Sequence, residues 1–513
     1  MKEHAWLGWL FAAFCCLYLL TSGGHFYLSD DLQKLRALDA YVRTGSFSFP
    51  DGWAVGRDGR HYAWHALGSS LLMVPGYFAG RLVEFLVPFM PGDFVERFAI
   101  ALQNVVFTAA LATLVAAYAR WLGRGVRASV FAAACFGLGT MAWPYAKGAA
   151  SEPGATLALF AAVFALHVAV RQALAPRAVA LAGVLVAIAT CVRLELMAVV
   201  PGTLVLLGWQ ARARPAALAR ALVLLSVPLA GTVALAMSYN VLRYGTITND
   251  QNFQMVQAAV QLPAGGRPVW ALANMWHYTL NPCDGLLWFA PAVLLGLVGL
   301  PAFWRAHREA AAMLACALVP LFLFFTCVWG LSDWAWGTRY AYVFMPFACL
   351  PAAVLWDERP RGRPLWLGLA TLGVAVQLLA LPHNFNYLYE RFRAAHHDPS
   401  IQTIMATPAD SPLLLAAAAT PPTLAGGLAL LAAPRPSRAP NMVEYRQRAQ
   451  FVPDAWPFLM LLTPLPRWAI GGVVAVLLMG LALALAGLRR TIAAGQPPAR
   501  SADPPGDMRQ ASR

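Results

Sequence analysis

Thirteen long apolar runs, each closed by charge or by a Pro/Gly cluster, constrain this chain more than anything else in it. They fall at about 5–22, 67–88, 98–121, 128–146, 153–171, 177–193, 195–209, 217–239, 286–304, 312–329, 341–356, 364–382 and 468–488. A helix needs ~20 mostly apolar residues to cross the hydrocarbon core of a bilayer, and these runs approach that length. With 59% hydrophobic and only 12% charged residues in 513, the chain carries more apolar side chain than a soluble core would need. No window repeats the alternating pattern of an outer-membrane barrel strand, so the spans are helices. The sequence predicts an all-α polytopic membrane protein with about eleven to thirteen transmembrane helices.

The net charge of +14 and pI near 9.7 do not indicate nucleic acid. The basic residues sit in short clusters between apolar runs, where they set orientation. RWLGRGVR (120–127), RQALAPR (171–177), QARARPAALAR (210–220), RAHRE (305–309) and DERPRGRP (357–364) are expected on the cytoplasmic side, with Lys2 and the tail from Arg489 and Arg490. Residues 23–65, 147–152, 240–285, 330–340 and 383–467 then face the other side. One conflict stands in this scheme. Three full crossings between 67 and 146 cannot leave 120–127 inside and Glu152 outside, so one segment is a half-helix or lies in the interface, or RWLGRGVR breaks the rule. The first run reads as a retained anchor, since no small-residue cleavage pattern precedes the acidic pair. Of eight cysteines, seven fall in apolar runs and only Cys283 is near a polar loop, so neither a disulfide framework nor a cysteine metal site is expected. No internal repeat of the kind that builds many transporters is visible.

The loops opposite the basic clusters hold the chemistry-bearing residues. The first opens on an acidic pair, Asp30 and Asp31 in YLSDDLQKL, at the lipid–water boundary. It continues through an amphipathic helix (31–43) to GRDGRHYAWH, where the chain returns to the membrane. Carboxylates cost roughly 2.5–3.5 kcal/mol each at the bilayer centre, so acids kept beside it usually have a partner or a reaction to serve. A helix start with Ser29 or Asp30 as cap is the plain structural alternative. The stretch 411–433 is apolar, but Pro412, Pro421 and Pro422 interrupt it, and it reads as loop or re-entrant. The chain divides into a membrane module (1–382), a long loop (383–467), a last span (468–488) and a disordered cytoplasmic tail (489–513).

Six segments then form a series: SDD at 29–31, GRDGRHYAWHALGSSLLMVPGYFAGR at 56–81, AKGAASEP at 146–153, CVRLE at 191–195, YNVLRYGTITN at 239–249 and WAWGTRYAYVFMP at 334–346. In order and in placement on one membrane side, over roughly residues 1–360, the series resembles the GT-C fold glycosyltransferases that use polyprenyl-phosphate sugars. These are the bacterial relatives of protein O-mannosyltransferases and of the lipid A aminoarabinose transferase. The resemblance implies GT-C architecture with short amphipathic helices in periplasmic loops, in a bacterial inner membrane. It implies inverting transfer of a single sugar from a polyprenyl-phosphate donor to a hydroxyl of a periplasmic acceptor: lipid A or core, an exported glycan, or a protein. Two alternatives remain. One is a non-enzymatic transporter of lipid-linked glycans or solutes that uses Arg193 and Glu195 at the midplane. The other is a periplasmic glycan ligase that uses Arg391, Arg393, His396 and His397.

By this resemblance Asp30 is the general base that takes the proton of the acceptor hydroxyl. Partial desolvation and a second acid beside it would raise its pKa. Asp31 would be that neighbour, or would bind a sugar hydroxyl or a divalent cation. Arg339 would grip the leaving phosphate through two parallel hydrogen bonds. Relatives often carry a lysine where this chain has Trp64, and Arg60, His61 or His65 would take its place. His61 and His65, four apart, would share a face of a helix; with no carboxylate in the motif they make a poor zinc site. Glu152 would bind the sugar or help fix the acceptor, with a helix-opening Glu before Pro153 as the structural alternative. Lys147 would pair with Glu152 or contact the phosphate. Arg193 and Glu195 interrupt an apolar run, and i,i+2 side chains do not face one another on a helix, so a chain break with separate roles is expected. Trp334, Trp336 and Tyr340 would pack on a sugar ring or the prenyl chain, or form an interfacial aromatic belt.

Overall fold

The computed structural model describes residues 4–86, 92–248, 256–257, 261, 266–329, 335–395, 407–438 and 440–494. The α-helices of six or more residues are, in chain order, α1 (Ala5–Thr21), α2 (Ser29–Thr44), α3 (Leu67–Leu72), α4 (Val74–Leu86), α5 (Gly92–Trp121), α6 (Val126–Gly139), α7 (Glu152–Arg171), α8 (Pro176–Val192), α9 (Val200–Ala211), α10 (Pro215–Tyr244), α11 (Gly266–Thr279), α12 (Val293–Ala306), α13 (Arg308–Phe324), α14 (Met345–Glu358), α15 (Arg363–Ala380), α16 (Phe385–Ala395), α17 (Pro412–Ala432), α18 (Met442–Ala449) and α19 (Arg467–Ala494). Short 3-10 turns, Leu194–Val199 and Arg339–Phe344, lead into α9 and α14. The sheet among the described residues is one hairpin, β1 (Ala54–Val55) with β2 (His61–Tyr62), in the first loop. The chain is an all-α polytopic membrane protein. Nine described helical segments are long and apolar enough to cross a bilayer, and four shorter apolar helices, α1, α6, α8 and α12, accompany them.

The polar contacts divide the helix ends into two faces. On the basic face Arg124 meets Glu358 at 3.2 Å and Arg171 meets Glu309 at 3.0 Å. The Gly125 amide donates to Asp357 there. On the opposite face Ser22 donates to the Lys147 carbonyl, Trp456 N–H donates to the Ser22 carbonyl, and Thr338 N–H to the Asp284 carbonyl. α19 runs antiparallel to α1, with Gly480 against Cys16 and Gly487 against Trp9.

Two segments differ from the sequence expectation, and the first of them removes the conflict over orientation. Residues 67–86 do not form one crossing helix. The helix breaks at Met73 into α3 and α4, and α4 packs antiparallel on the start of α5, Gly76 against Ile100 and Gly80 against Glu96. Tyr77 bonds Asp39 of α2 and Arg81 bonds Glu96, so the segment keeps polar partners at the opposite face. With α4 not crossing, α5 and α6 alone join 23–65 to Glu152, and 120–127 falls on the basic face.

The second difference is α17, read from its prolines as loop or re-entrant but helical throughout. Pro421 and Pro422 remove two of its own hydrogen bonds. Outside contacts hold it: His383 Nε2 lies 3.1 Å from the Ala416 carbonyl and 3.0 Å from the Thr420 hydroxyl. At its start Ser411 donates to the Pro282 carbonyl, and at its end Arg467 donates to the carbonyls of Leu430 and Ala433. Both ends lie at the opposite face, so α17 has the composition of a span and runs along that face.

Glycines set the closest helix approaches. A methyl on Gly296 would collide with the Ala348 carbonyl oxygen, whereas Gly208 has nothing within 4 Å. Gly296→Ala is therefore expected to lower thermal stability in detergent by about 1–3 kcal/mol through overpacking of α12 on α14. Gly208→Ala, inside α9 with open space around it, is expected to leave the unfolding midpoint unchanged or slightly raised, since Ala is the better helix former.

Candidate active site

Helix α2 starts at Ser29 with Leu28 as its N-cap, and neither Ser29 nor Asp30 caps it. Asp30 and Lys34 are four apart and share a face, while Asp31 points about 100° away. Asp30 and Lys34 line one pocket with His65, Glu152, Arg193, Glu195, Arg339 and Tyr340. These residues come from five separated segments, and the cavity they enclose is about 60 Å³.

The charges in this pocket are paired. Arg339 Nη1 lies 2.9 Å from Asp30 Oδ2. Lys34 Nζ lies 3.0 Å from Asp31 Oδ1. Arg193 bonds both Glu152 and, at 2.7 Å, Glu195. The guanidinium groups of Arg193 and Arg339 each lie 5.2 Å from the centre of the Tyr340 ring, which stacks on Phe325. This pairing corrects the reading of Arg193 and Glu195 as having separate roles. The chain does break, since Arg193 is extended at the end of α8, but the break turns the two side chains toward each other.

The acidic pair behaves differently from expectation. Burial opposes ionisation of Asp30, but Arg339, His65 and Lys34 together outweigh it, Arg339 most of all, and hold the carboxyl well below the usual range, so the expected upward shift does not occur. Asp31 takes the upward shift, chiefly from burial, against the pull of Lys34. Burial pushes His65 down to about 3. At neutral pH its imidazole is uncharged, and its 3.9 Å approach to Asp30 is not an ion pair. Each member of the acidic pair faces its own cation, so the two do not present a joint site for a divalent ion. Among the described residues no three His, Cys, Asp or Glu side chains converge to hold a metal.

These shifts give a pH prediction. The unfolded chain protonates His65 near 6.5 and the folded chain only near 3, so folding stability falls as the pH drops through that window. Asp30, held low, adds a loss as the pH falls below the ordinary carboxylate value of 3.8. Asp31, held high, works the other way, its contribution present in acid and lost as the pH rises. The thermal midpoint in detergent is expected to fall between pH 6.5 and pH 5, and His65→Gln is expected to flatten that slope.

Several expected residues lie elsewhere. Arg60 and His61 are exposed on the hairpin; Arg60 is 3.7 Å from Asp58, and His61 Nδ1 bonds the Gly52 carbonyl. His61 is in β2 and His65 in the turn beyond it, so they share no helix face. Lys147 neither pairs with Glu152 nor enters the pocket. It is buried, 3.0 Å from Asp454, and donates to the carbonyls of Leu381 and His383. Trp336 is buried against Phe289 and Phe385, with its N–H on Gln377, beside a small apolar cavity that Asp31 also lines. Trp334, His396 and His397 lie outside the described residues. Lys34 is the charged pocket residue not singled out from sequence; its signal was the i,i+4 acid–base spacing with Asp30.

Beside the charged pocket lies an apolar cavity of about 390 Å³. It shares Leu194, Glu195 and Trp329 with the pocket and runs between the 194–199 turn, α10 and the end of the 308–329 segment, past Met197, Val233 and Phe324.

No family model matches the sequence, and no curated protein matches it. Among solved structures, the chain is similar to ArnT from Cupriavidus metallidurans bound to undecaprenyl phosphate, at 16% identity and a TM-score of 0.48, over 96% of this chain and 78% of that one. It is also similar to the apo oligosaccharyltransferase of Archaeoglobus fulgidus, at 13% identity and a TM-score of 0.45, over 80% of this chain and 61% of that one. Similarity of that degree carries no argument about chemistry, which rests on the side chains gathered here.

Proposed function

We propose that the protein is a GT-C glycosyltransferase of a bacterial inner membrane. In this reading it moves one sugar, with inversion, from a polyprenyl-phosphate donor to an acceptor hydroxyl on the periplasmic face. The observation that carries the reading is the joining of a cluster of paired charges to an apolar cavity through Leu194, Glu195 and Trp329. A lipid phosphate has this shape in reverse, a greasy chain ending in an anion, and affinity for it would come from apolar area with the head group fixed by cations.

The chemistry follows from the Asp30–Arg339 pair. In the resting site Arg339 neutralises Asp30, which is then a weak base. A donor phosphate competes for the guanidinium, to which a phosphate can bind through two hydrogen bonds. As Arg339 turns to the phosphate, Asp30 regains basicity. The acceptor oxygen then bonds the anomeric carbon, the carbon–phosphate-oxygen bond breaks, the acceptor proton passes to Asp30, and the charge left on polyprenyl phosphate is met by Arg339. Lys34, Arg193 and Glu152 hold the array in place. The transporter alternative loses its support, since Arg193 and Glu195 sit at the end of α8 on the side of Asp30, tied to Glu152.

Mass analysis of envelope lipids and glycans with and without the gene tests this reading. The expected result is the loss of one sugar residue from one envelope component in the deletion strain, restored by the gene. An unchanged envelope together with altered solute uptake would point to the transporter.

A further inference from the structure

The face that carries the charged pocket has a second, larger cavity of about 410 Å³, within the roughly 300–1,000 Å³ of small-molecule sites. Leu28, Ser29 and Leu32 at the start of α2 line it, while Asp30 and Lys34 line the charged pocket. Ser29 and Leu32 are three apart and Asp30 and Lys34 four apart, so one helical turn presents two faces to two cavities. The remaining walls come from residues 24–26 after α1, from the start of α5, from α16 with Asn384 before it, and from α18.

Its chemistry is not that of a lipid-tail groove. Phe26, Phe94, Tyr387, Tyr389 and Tyr445 supply flat apolar faces, and Asn384 and Asn386 add amides. Among the described lining residues, Arg393 and Arg446 add exposed guanidinium groups, with Arg97, His25 and the carboxylate of Glu390 beside them. Tyr445 is buried and its hydroxyl has no hydrogen-bond partner among the described residues. A buried hydroxyl in that state is a standing cost that a ligand oxygen would relieve.

We propose that this cavity seats the acceptor and that the acceptor is an anionic carbohydrate, one or two sugar rings bearing phosphate or carboxylate. The proposal rests on the transferase reading of the neighbouring pocket and names the substrate class that reading left open. Aromatic faces suit the C–H faces of a pyranose, amides suit its hydroxyls, and guanidinium forks suit its anion. Ser29 of this cavity and Asp30 of the charged pocket are neighbours on the first turn of α2. A membrane-anchored glycolipid and a soluble glycan would present the same chemistry.

The test is binding, which does not require transfer. Purified protein in phosphatidylcholine nanodiscs is titrated with trehalose 6-phosphate and with trehalose, and separately with an acylated glucosamine disaccharide with and without its phosphate. A phosphorylated probe is expected to bind at least about tenfold more tightly than its neutral twin. The double variant Arg393→Gln/Arg446→Gln, both exposed side chains, is expected to erase the difference, and Asp30→Asn to leave it intact. Binding of the soluble phosphorylated probe supports the proposal with a free glycan as the source, and binding of the acylated one alone supports it with a glycolipid. Equal binding of charged and neutral probes, no binding of either phosphorylated probe, or an advantage that survives the double substitution overturns it. Should charged-probe binding hold while no sugar transfer is found, the transferase reading and the acceptor role fall together, and the cavity stands only as a site for anionic carbohydrate.

Discussion

Replacing Asp30 by Asn is expected to lower sugar transfer by about 10²–10⁴-fold, the usual worth of a general base, without weakening the binding of polyprenyl phosphate. The two halves of that expectation come from one contact. Asp30 Oδ2 sits 2.9 Å from Arg339 Nη1, so the carboxylate and a donor phosphate compete for the same guanidinium. The asparagine variant loses the proton acceptor and at the same time releases Arg339, so the rate falls while donor affinity holds or rises. Arg339→Ala should do the reverse at the binding step, weakening polyprenyl phosphate and slowing transfer together, since the leaving charge then has no fixed cation. Transfer of labelled sugar from a synthetic polyprenyl phosphate, with lipid binding measured separately, resolves both. Asp51→Asn serves as control, because Asp51 is exposed and pairs only with Arg36 in the described contacts near it. If the Asp30 variant keeps transfer within a few fold of the parent, the base assignment is wrong.

The second large effect is on stability. Lys147 and Asp454 form a buried ion pair at 3.0 Å, and Asp454 also meets His25 at 3.1 Å and the Tyr27 hydroxyl at 2.6 Å. Burial opposes the charge on Asp454, but Lys147 and His25 outweigh it and hold the carboxyl well below the usual range. Asp454→Ala leaves the Lys147 ammonium buried with no counter-charge, held by two backbone carbonyls and the face of Tyr27, and breaking a buried pair in this way costs about 3–5 kcal/mol. The pair ties the long loop after α15 to the loops that follow α1 and α6, so the loss should appear as a lowered thermal midpoint and early proteolysis between α17 and α19. The double substitution Lys147→Met/Asp454→Leu should recover much of the loss, because two apolar side chains leave no buried charge behind. A double variant as unstable as the single would mean that the tyrosine and histidine contacts, not the ion pair, hold the loop.

The apolar runs made the fold class legible, because the bilayer admits few solutions for a backbone that must pair its own polar groups. They were less informative where apolar composition served packing. The 67–88 run met the length rule yet breaks at Met73, since Gly76 and Gly80 fit it against α5 and Tyr77 and Arg81 need polar partners. The 411–433 run failed the proline rule yet is helical, because His383 and Arg467, distant in sequence, supply contacts from outside.

What the sequence determined by itself was local: which stretches are apolar enough for lipid, where basic clusters set orientation, and which carboxylates, arginines and aromatics lie at helix ends. Partner choice was decided only by the tertiary structure. Asp30 and Asp31 are adjacent in the chain, yet the first meets Arg339 and the second Lys34, because successive residues of a helix point about 100° apart. Lys147 lies five residues from Glu152 but bonds Asp454, while Glu152 takes Arg193 from the end of another helix. Charge type is written in each residue, but distances between helices are set by packing, and a charge pair's energy depends on those distances and on burial.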